Sequence, residues 1–397
     1  MALASFAATA LGGETARGPQ SVPVAPLSGQ LDVAVRRHLG TFVLDAVFST
    51  PARGLTALYG RSGSGKTSII ATIAGLLKPD SGRIVADGET LFDSERGIDV
   101  PVERRRVGYV FQDARLFPHL KVRDNLAYGL KRAPAGPRAI PFDRVVELLG
   151  IGDLLDRRPL RLSGGEKQRV AIGRALLAQP RVLLMDEPLA SLDAARRQEI
   201  RPYIERLRDE LGLLIVYVSH ALEEVVRLAN TMVVIEAGRV AAQGNPVELS
   251  QRLDLRPLLG RFEAGSVIEG KVTDHDEERQ LTRIALGETS LVLPRFDVPV
   301  GAAVRVRVRA RDVILAVQRP AGLSVHNALE GVVEEISDEA GAYAEVKVDV
   351  GGIAILARVT RDSVQRLGLE PGRTIYALVK SVAIDRQSVS AAPIEFD

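Results

Sequence analysis

The chain has 397 residues, 46 % hydrophobic and 26 % charged, a composition that supports two or three folded units and excludes wholesale disorder. Lysine and arginine total 52 against 50 aspartates and glutamates, a balance with no polyanion-binding signal, so nucleic acid is not an expected partner. There is no cysteine, which excludes disulfides and thiolate metal sites, and the histidines (His38, His119, His220, His275, His326) show no ligand spacing.

Residues 1–28 are rich in Ala, Gly, Pro and Ser and read as a disordered tail or an overlong start. Ala2–Gly13 is apolar but no Lys or Arg precedes it, so it lacks the charged start of a secretory signal. No internal segment approaches the ~20 apolar residues that span a bilayer. Work at a membrane would therefore be that of a peripheral subunit. From about Leu31 to Gly244, short β-branched runs alternate with helical stretches. The runs are Leu55–Tyr59, Val107–Phe111, Val182–Met185, Leu214–Ser219 and Met232–Ile235. That alternation predicts a mostly parallel sheet with helices on its faces. Asp113–Arg158 has few strand-like runs and reads as helices broken at Arg132–Pro141, a helical insertion.

Gly60-Arg61-Ser62-Gly63-Ser64-Gly65-Lys66-Thr67, followed by Ser68, has the spacing G-x-x-x-x-G-K-[ST] between a strand and a helix over Thr67–Leu77. Its glycines let successive N–H groups turn inward at phosphate oxygens, and the helix start adds partial positive charge. Lys66 is expected on the β- and γ-phosphates and the Thr67 hydroxyl on Mg²⁺. Val182–Asp186 is an apolar run ending in an acid, and Glu187 follows. Two solvated carboxylates are the plain reading of that pair. Downstream of a phosphate loop, Asp186 is expected to hold Mg²⁺ and Glu187 to act as general base. Leu162-Ser163-Gly164-Gly165-Glu166-Lys167-Gln168-Arg169 sets a second anion-binding helix start just before that strand.

This last octapeptide resembles the signature motif of the ATP-binding-cassette ATPases. The resemblance implies an α/β P-loop ATPase over residues 29–256, with its helical subdomain at about 113–170, that binds ATP and Mg²⁺ as a homodimer. In such a dimer Ser163, Gly164, Gly165 and Glu166 would cap the ATP held by the partner subunit. By the same resemblance, Gln112 would sense Mg²⁺ and the γ-phosphate, Ser191-Leu192-Asp193 would cross the dimer interface, and His220 would contact the γ-phosphate. Family members usually carry an aromatic residue about two dozen positions before the phosphate loop to stack on adenine. Here that neighbourhood reads Arg36-Arg37-His38-Leu39, with Phe42 the nearest aromatic, so Arg37 or His38 would have to take that part.

Beyond about Pro257 the pattern becomes all-β, with runs at Ser266–Thr273, Leu281–Ala285, Ser290–Leu293, Ala303–Ala310, Gly331–Ile336, Ala344–Val350, Ile353–Val359 and Thr374–Val379. They predict a small OB-like barrel or sandwich. Arg305, Arg307 and Arg309 alternate with valines and read as a solvated basic face. Residues 257–320 are assigned to a β linker or first part of this barrel, and 321–397 to an oxyanion-binding regulatory domain. The second assignment rests on resemblance: Tyr109–Leu126 is similar to the ATPase subunits of bacterial molybdate importers, and Ser324–Gly331, Val359–Leu369 and Tyr376–Ser381 resemble the molbindin-type barrel attached to them.

That resemblance implies Ser324, Val325, His326, Thr360, Lys380 and Ser381 as donors to a tetrahedral dianion. His326 stands where an arginine is common, and a neutral imidazole binds an anion less strongly. A barrel used only for packing or dimerisation stays open. The implied partners are membrane permease subunits on the helical insertion near Gln112–Asn125 and, indirectly, a periplasmic molybdate-binding protein. The implied place is the cytoplasmic face of a bacterial inner membrane. A sibling importer for sulfate, iron or sugar, and a cytosolic molybdate sensor or storage protein, are the alternatives.

Overall fold

The computed structural model describes residues 30–134, 140–259, 265–337, 341–384 and 389–391. The tail at 1–28 lies outside the described residues, as do residues 135–139 of the Pro- and Gly-containing break Arg132–Pro141.

Strand β1 (Leu31–Leu39) buries Leu31, Val33 and Val35 on one face and turns at Gly40 into β2 (Phe42–Thr50). Strand β3 (Gly54–Tyr59) is buried at every position, as a strand covered on both faces must be, and leads to helix α1 (Lys66–Ala74). The short strands β4 (Ser81–Ala86), β5 (Glu89–Asp93) and β6 (Ile98–Asp99) follow, then β7 (Val107–Val110). The helical insertion holds α2 (Val122–Leu130) and α3 (Phe142–Leu149), and α4 (Gly164–Leu177) packs on both. Next come β8 (Val182–Asp186), α5 (Ala194–Leu211), β9 (Leu214–Ser219), α6 (Leu222–Leu228), β10 (Thr231–Glu236), β11 (Arg239–Gly244), α7 (Pro246–Gln251) and α8 (Arg256–Leu259).

These strands form one sheet in the order β6-β5-β4-β1-β2-β11-β10-β3-β9-β8-β7. The mostly parallel sheet predicted is parallel across β10-β3-β9-β8-β7 and at the short β11–β2 pairing. The wing β6-β5-β4-β1-β2 is antiparallel. The reason is local: β1–β2 and β4–β5 are joined by two-residue turns, Gly40-Thr41 and Asp87-Gly88, which reverse the chain and cannot make a parallel crossover. One apolar core lies on each face of the parallel region, one shared with the helical insertion and one with α1 and the wing.

The remaining strands build two five-stranded sheets around a third core. β12 (Gly265–Asp276), β13 (Leu281–Leu286), β14 (Thr289–Pro294) and β15 (Ala303–Arg309) belong to the first, and β16 (Val313–Ala316) crosses to the second. β17 (Asn327–Ile336), β18 (Tyr343–Val350), β19 (Ile353–Thr360), helix α9 (Arg361–Leu367) and β20 (Thr374–Val379) complete the second, and β21 (Val389–Ala391) returns to pair with β15. The segments before and after residue 320 thus each supply strands to both sheets. Asn327 ties the sheets together: its side chain donates to the Val292 and Val379 carbonyls at 3.0 and 3.1 Å and accepts from the Val292 N–H at 2.7 Å.

The basic face expected on β15 is not solvated. Arg305 is 6 % exposed, donates to Glu269 at 2.7 Å and reaches the Val226 and Ala229 carbonyls of the ATPase region, and Arg307 pairs with Glu223. Alternation correctly placed the three arginines on one face, but two of them, Arg305 and Arg307, meet helix α6 instead of water. Arg256 of α8 likewise pairs with Glu345 of β18 at 2.9 Å, both largely buried. Among the described residues no helix is long and apolar enough to cross a membrane.

Candidate functional site

The phosphate loop occupies the turn between β3 and α1, at the C-terminal edge of the parallel strands, where open α/β sheets place their ligands. Gly65 takes φ 103° as the N-cap of α1, and a Cβ there would lie 3.1 Å from the Phe42 ring. A Cβ on Gly60 would run into the Ile235 carbonyl. Both positions therefore require glycine, one for its backbone and one for space. Lys66, buried, donates to the Gly60 and Arg61 carbonyls at 2.8 and 2.9 Å. Burial pushes its pKa down, opposed by the nearby Glu187 and Asp186 carboxylates. The Ser64 hydroxyl is buried without a hydrogen-bond partner inside the loop. An unpaired donor in a curl of backbone amides fits a phosphate ligand.

Asp186 ends β8 and accepts hydrogen bonds from Thr67 Oγ1 at 3.0 Å and from the Tyr109 hydroxyl at 3.1 Å. Burial raises the Asp186 pKa against the lowering effect of those two bonds. Tyr109, itself raised chiefly by burial, is a site residue that sequence reading placed in a strand and in the importer-like stretch Tyr109–Leu126 but gave no role in the site. Its approach depends on the β7–β8 register, Tyr109 opposite Leu184, which no local pattern announces. The hydroxyl of Thr67 and the carboxylate of Asp186, already within one hydrogen bond, are hard oxygen donors of the kind Mg²⁺ takes.

Glu187 leaves the strand with φ 44°, its N–H bonded to the Val218 carbonyl of β9 at 3.1 Å. That turn aims its carboxylate at His220, whose Nδ1 is 3.2 Å from Glu187 Oε2. Gln112 stands exposed just past β7, and since Val110 pairs with Met185, it leaves the sheet at the same edge as Glu187. Gly60–Ser68, Gln112, Asp186, Glu187 and His220 therefore gather along one sheet edge.

The signature residues form a second group. Ser163 caps α4 in a reciprocal box: its hydroxyl accepts from Glu166 N at 3.2 Å, and Glu166 accepts from Ser163 N at 2.7 Å. The Ser163 backbone bond is the main reason the Glu166 carboxyl lies below the usual range. A Cβ on Gly164 would lie 2.9 Å from Leu192, so the signature packs against the Ser191-Leu192-Asp193 loop. Asp193 caps α5 by accepting from Arg196 N at 2.9 Å. Ser163→Ala should destabilise the chain by about 1 kcal/mol through the lost cap. The urea midpoint measures it, and an unchanged midpoint would show that Glu166 alone sustains the helix start.

Arg37 and His38 both bind Asp80, at 2.6 Å through Arg37 NH1 and 2.8 Å through the His38 N–H. The His38 bonds, with the Arg37 charge, hold the Asp80 pKa at about 2. Phe42, by contrast, touches the phosphate-loop turn itself.

The six oxyanion candidates do not meet within one chain. Asn327 pairs with Val379, so Ser324, Val325 and His326 adjoin Lys380 and Ser381 at one end of the second barrel sheet. Thr360, opposite Tyr343, lies at the other end, beyond Ile336, and caps α9 by accepting from Ser363 N at 3.1 Å. The ten-residue length of β17 separates the two ends, roughly 30 Å of extended chain. Ser381 donates its hydroxyl to the Val292 carbonyl at 2.6 Å, while Ser324, His326 and Lys380 are exposed.

Residues 44–190 match the ABC transporter family and residues 323–385 the TOBE domain. The molybdenum import ATP-binding protein ModC of Rhizobium etli is 52 % identical over 355 residues, 89 % of this chain and 99 % of that protein. The ModC of Rhizobium meliloti is 53 % identical over 356 residues, covering 90 % and 99 %. That of Yersinia pseudotuberculosis is 46 % identical over 358 residues, covering 90 % and 98 %.

Proposed function

Since the chain belongs to the family of molybdenum import ATP-binding proteins, we propose that it is the subunit whose ATP hydrolysis energises molybdate import, with hydrolysis at the edge of the parallel strands. The carrying observation is the linked pair of contacts there, Thr67 with Asp186 and Glu187 with His220.

The residues divide the work as follows. Lys66 exchanges its two loop carbonyls for β- and γ-phosphate oxygens, and Gly60–Ser68 wrap the remainder with N–H groups. Thr67 and Asp186, joined by Gln112, would hold Mg²⁺, which would supply charge neutralisation to the phosphates. Glu187 Oε accepts the proton of the attacking water, and His220 orients that carboxylate while reaching the γ-phosphate. Ser163–Glu166 of a second copy complete each site, and Ser191–Asp193 link the two across the interface. ATP that binds the closed dimer better than the open one supplies the work. Permease subunits dock on the helical insertion near Gln112–Asn125 and receive molybdate from a periplasmic binding protein, the chain itself staying peripheral on the cytoplasmic face of the inner membrane.

In this reading residues 29–256 are the ATPase domain, with 113–170 its helical part. Residues 321–397 carry the oxyanion donors, and 257–320 supply the strands on which that part closes. Because Thr360 and the Ser324–Ser381 cluster lie at opposite ends of a sheet, a molybdate site using both needs a second copy of the barrel.

A strain deleted for this gene should lose molybdate uptake from submicromolar medium and keep sulfate, iron and sugar uptake. Plasmid-borne wild-type chain should restore it. Unimpaired molybdate uptake with loss of another solute would assign the importer to that solute.

A further inference from the structure

Helix α6 begins two residues after His220 and is gripped by side chains distant in sequence. Helix ends leave carbonyls unsatisfied and carry partial negative charge, so cationic donors there fix the helix in place. Arg305 NH1, from barrel strand β15, donates to the Val226 and Ala229 carbonyls at 2.9 and 3.0 Å, and Arg208 of α5 donates to Leu228 at 2.9 Å. Near the helix start, Glu223 lies 3.4 Å from Arg307 of β15 and 3.5 Å from Arg201 of α5. Two of these four arginines, Arg305 and Arg307, come from the C-terminal barrel.

Between the grips sits Glu224, 5 % exposed, which accepts from Ser219 Oγ at 3.0 Å and from the Tyr217 hydroxyl at 3.2 Å. Ser219 Oγ in turn accepts from the Ala221 N–H at 3.1 Å. The two neighbours of His220 are thereby tied to α6 through one buried carboxylate. The exposed imidazole has Glu187 at 3.2 Å, and Glu187, Ser219, His220 and Glu224 line a single small cavity together with Ala190, Arg197 and Ala221.

We propose that Arg305 and Arg307 of the barrel are positioning residues for ATP hydrolysis, holding α6, and through Glu224 the Ser219–Ala221 turn, where His220 meets Glu187. The inference rests on the reading of Glu187 and His220 as the hydrolytic pair. It also gives any rotation of the barrel against the ATPase domain a direct mechanical path to the catalytic edge.

The test uses the purified full chain with MgATP. Arg305→Met and Arg307→Met keep most side-chain volume and remove the guanidinium, and Arg307→Lys restores a charge beside Glu223. A displaced catalytic group costs rate rather than substrate binding, so both methionine variants should lose about tenfold in kcat with KM for ATP within about twofold. Arg307→Lys should recover most of the loss. Melting temperature and nucleotide binding show which variants fold, and the partly exposed Arg307 carries the test should Arg305→Met not fold. Folded variants with wild-type kcat, or a loss that follows weakened nucleotide binding, would overturn the proposal. His220→Ala separates the two levels. Full turnover in that variant removes the hydrolytic reading itself, whereas its inactivity beside fully active arginine variants removes only the link to the barrel.

Discussion

Glu187→Gln is expected to lower kcat for ATP hydrolysis by about 10²–10⁴-fold, roughly 3–5 kcal/mol of barrier, with nucleotide affinity retained. Glutamine keeps the volume and the planar head that face His220, but an amide oxygen near neutrality does not take a proton from water. The phosphate loop, Lys66 and the Thr67–Asp186 contact lie on other residues and are untouched. Ground-state binding therefore persists while the transition state loses its base. The variant with MgATP should elute as a dimer in size-exclusion chromatography and keep its nucleotide, because nothing opens the closed state. Steady-state phosphate release measures the rate, and wild-type turnover would take Glu187 out of the reaction.

Arg105→Met should cost about 3–5 kcal/mol of folding stability, the range seen when one partner of a buried polar network is removed. Arg105 is 2 % exposed, and its guanidinium serves four acceptors. Nε donates to Val100, NH1 to the Thr72 and Ile73 carbonyls at the end of α1, and NH2 to Asp99. Burial lowers its pKa, with Asp99 opposing, yet it stays the cation that neutralises the α1 terminus. Methionine fills much of the space but leaves those carbonyls without donors. Lysine, with one ammonium, does not span four acceptors on two segments, so Arg105→Lys should recover only part of the loss. Chemical denaturation measures both, and a change below about 1 kcal/mol would mean water replaces the guanidinium freely.

Arg105 also marks where sequence reading stops. The runs Leu214–Ser219 and Thr374–Val379 coincide with β9 and β20, since an unbroken or evenly alternating apolar pattern reports burial directly. The phosphate loop, the Asp186-Glu187 pair and the signature were legible because phosphate and metal chemistry demands particular residues at fixed spacing. Arg105, Arg208 and Arg305 were not, because each is defined by backbone carbonyls remote along the chain, and any residue type offers a carbonyl. Tyr109 and Glu224 escaped for a related reason: one depends on strand register, the other on the angle at which α6 leaves the Ser219–Ala221 turn. The antiparallel wing was blurred because β1, β4 and β5 mix charged and apolar residues in runs too short for period alone to decide.

The return of β21 to β15 has a consequence for biosynthesis. The ATPase sheet has all its strands once the ribosome has passed Gly244, but the first barrel sheet waits for residues near Ala391. At roughly 5–20 residues per second, that interval is on the order of ten seconds. Through it the nascent β15 edge has no final neighbour, so chaperone binding during translation would concentrate on β12–β15 and fade when the last strand emerges.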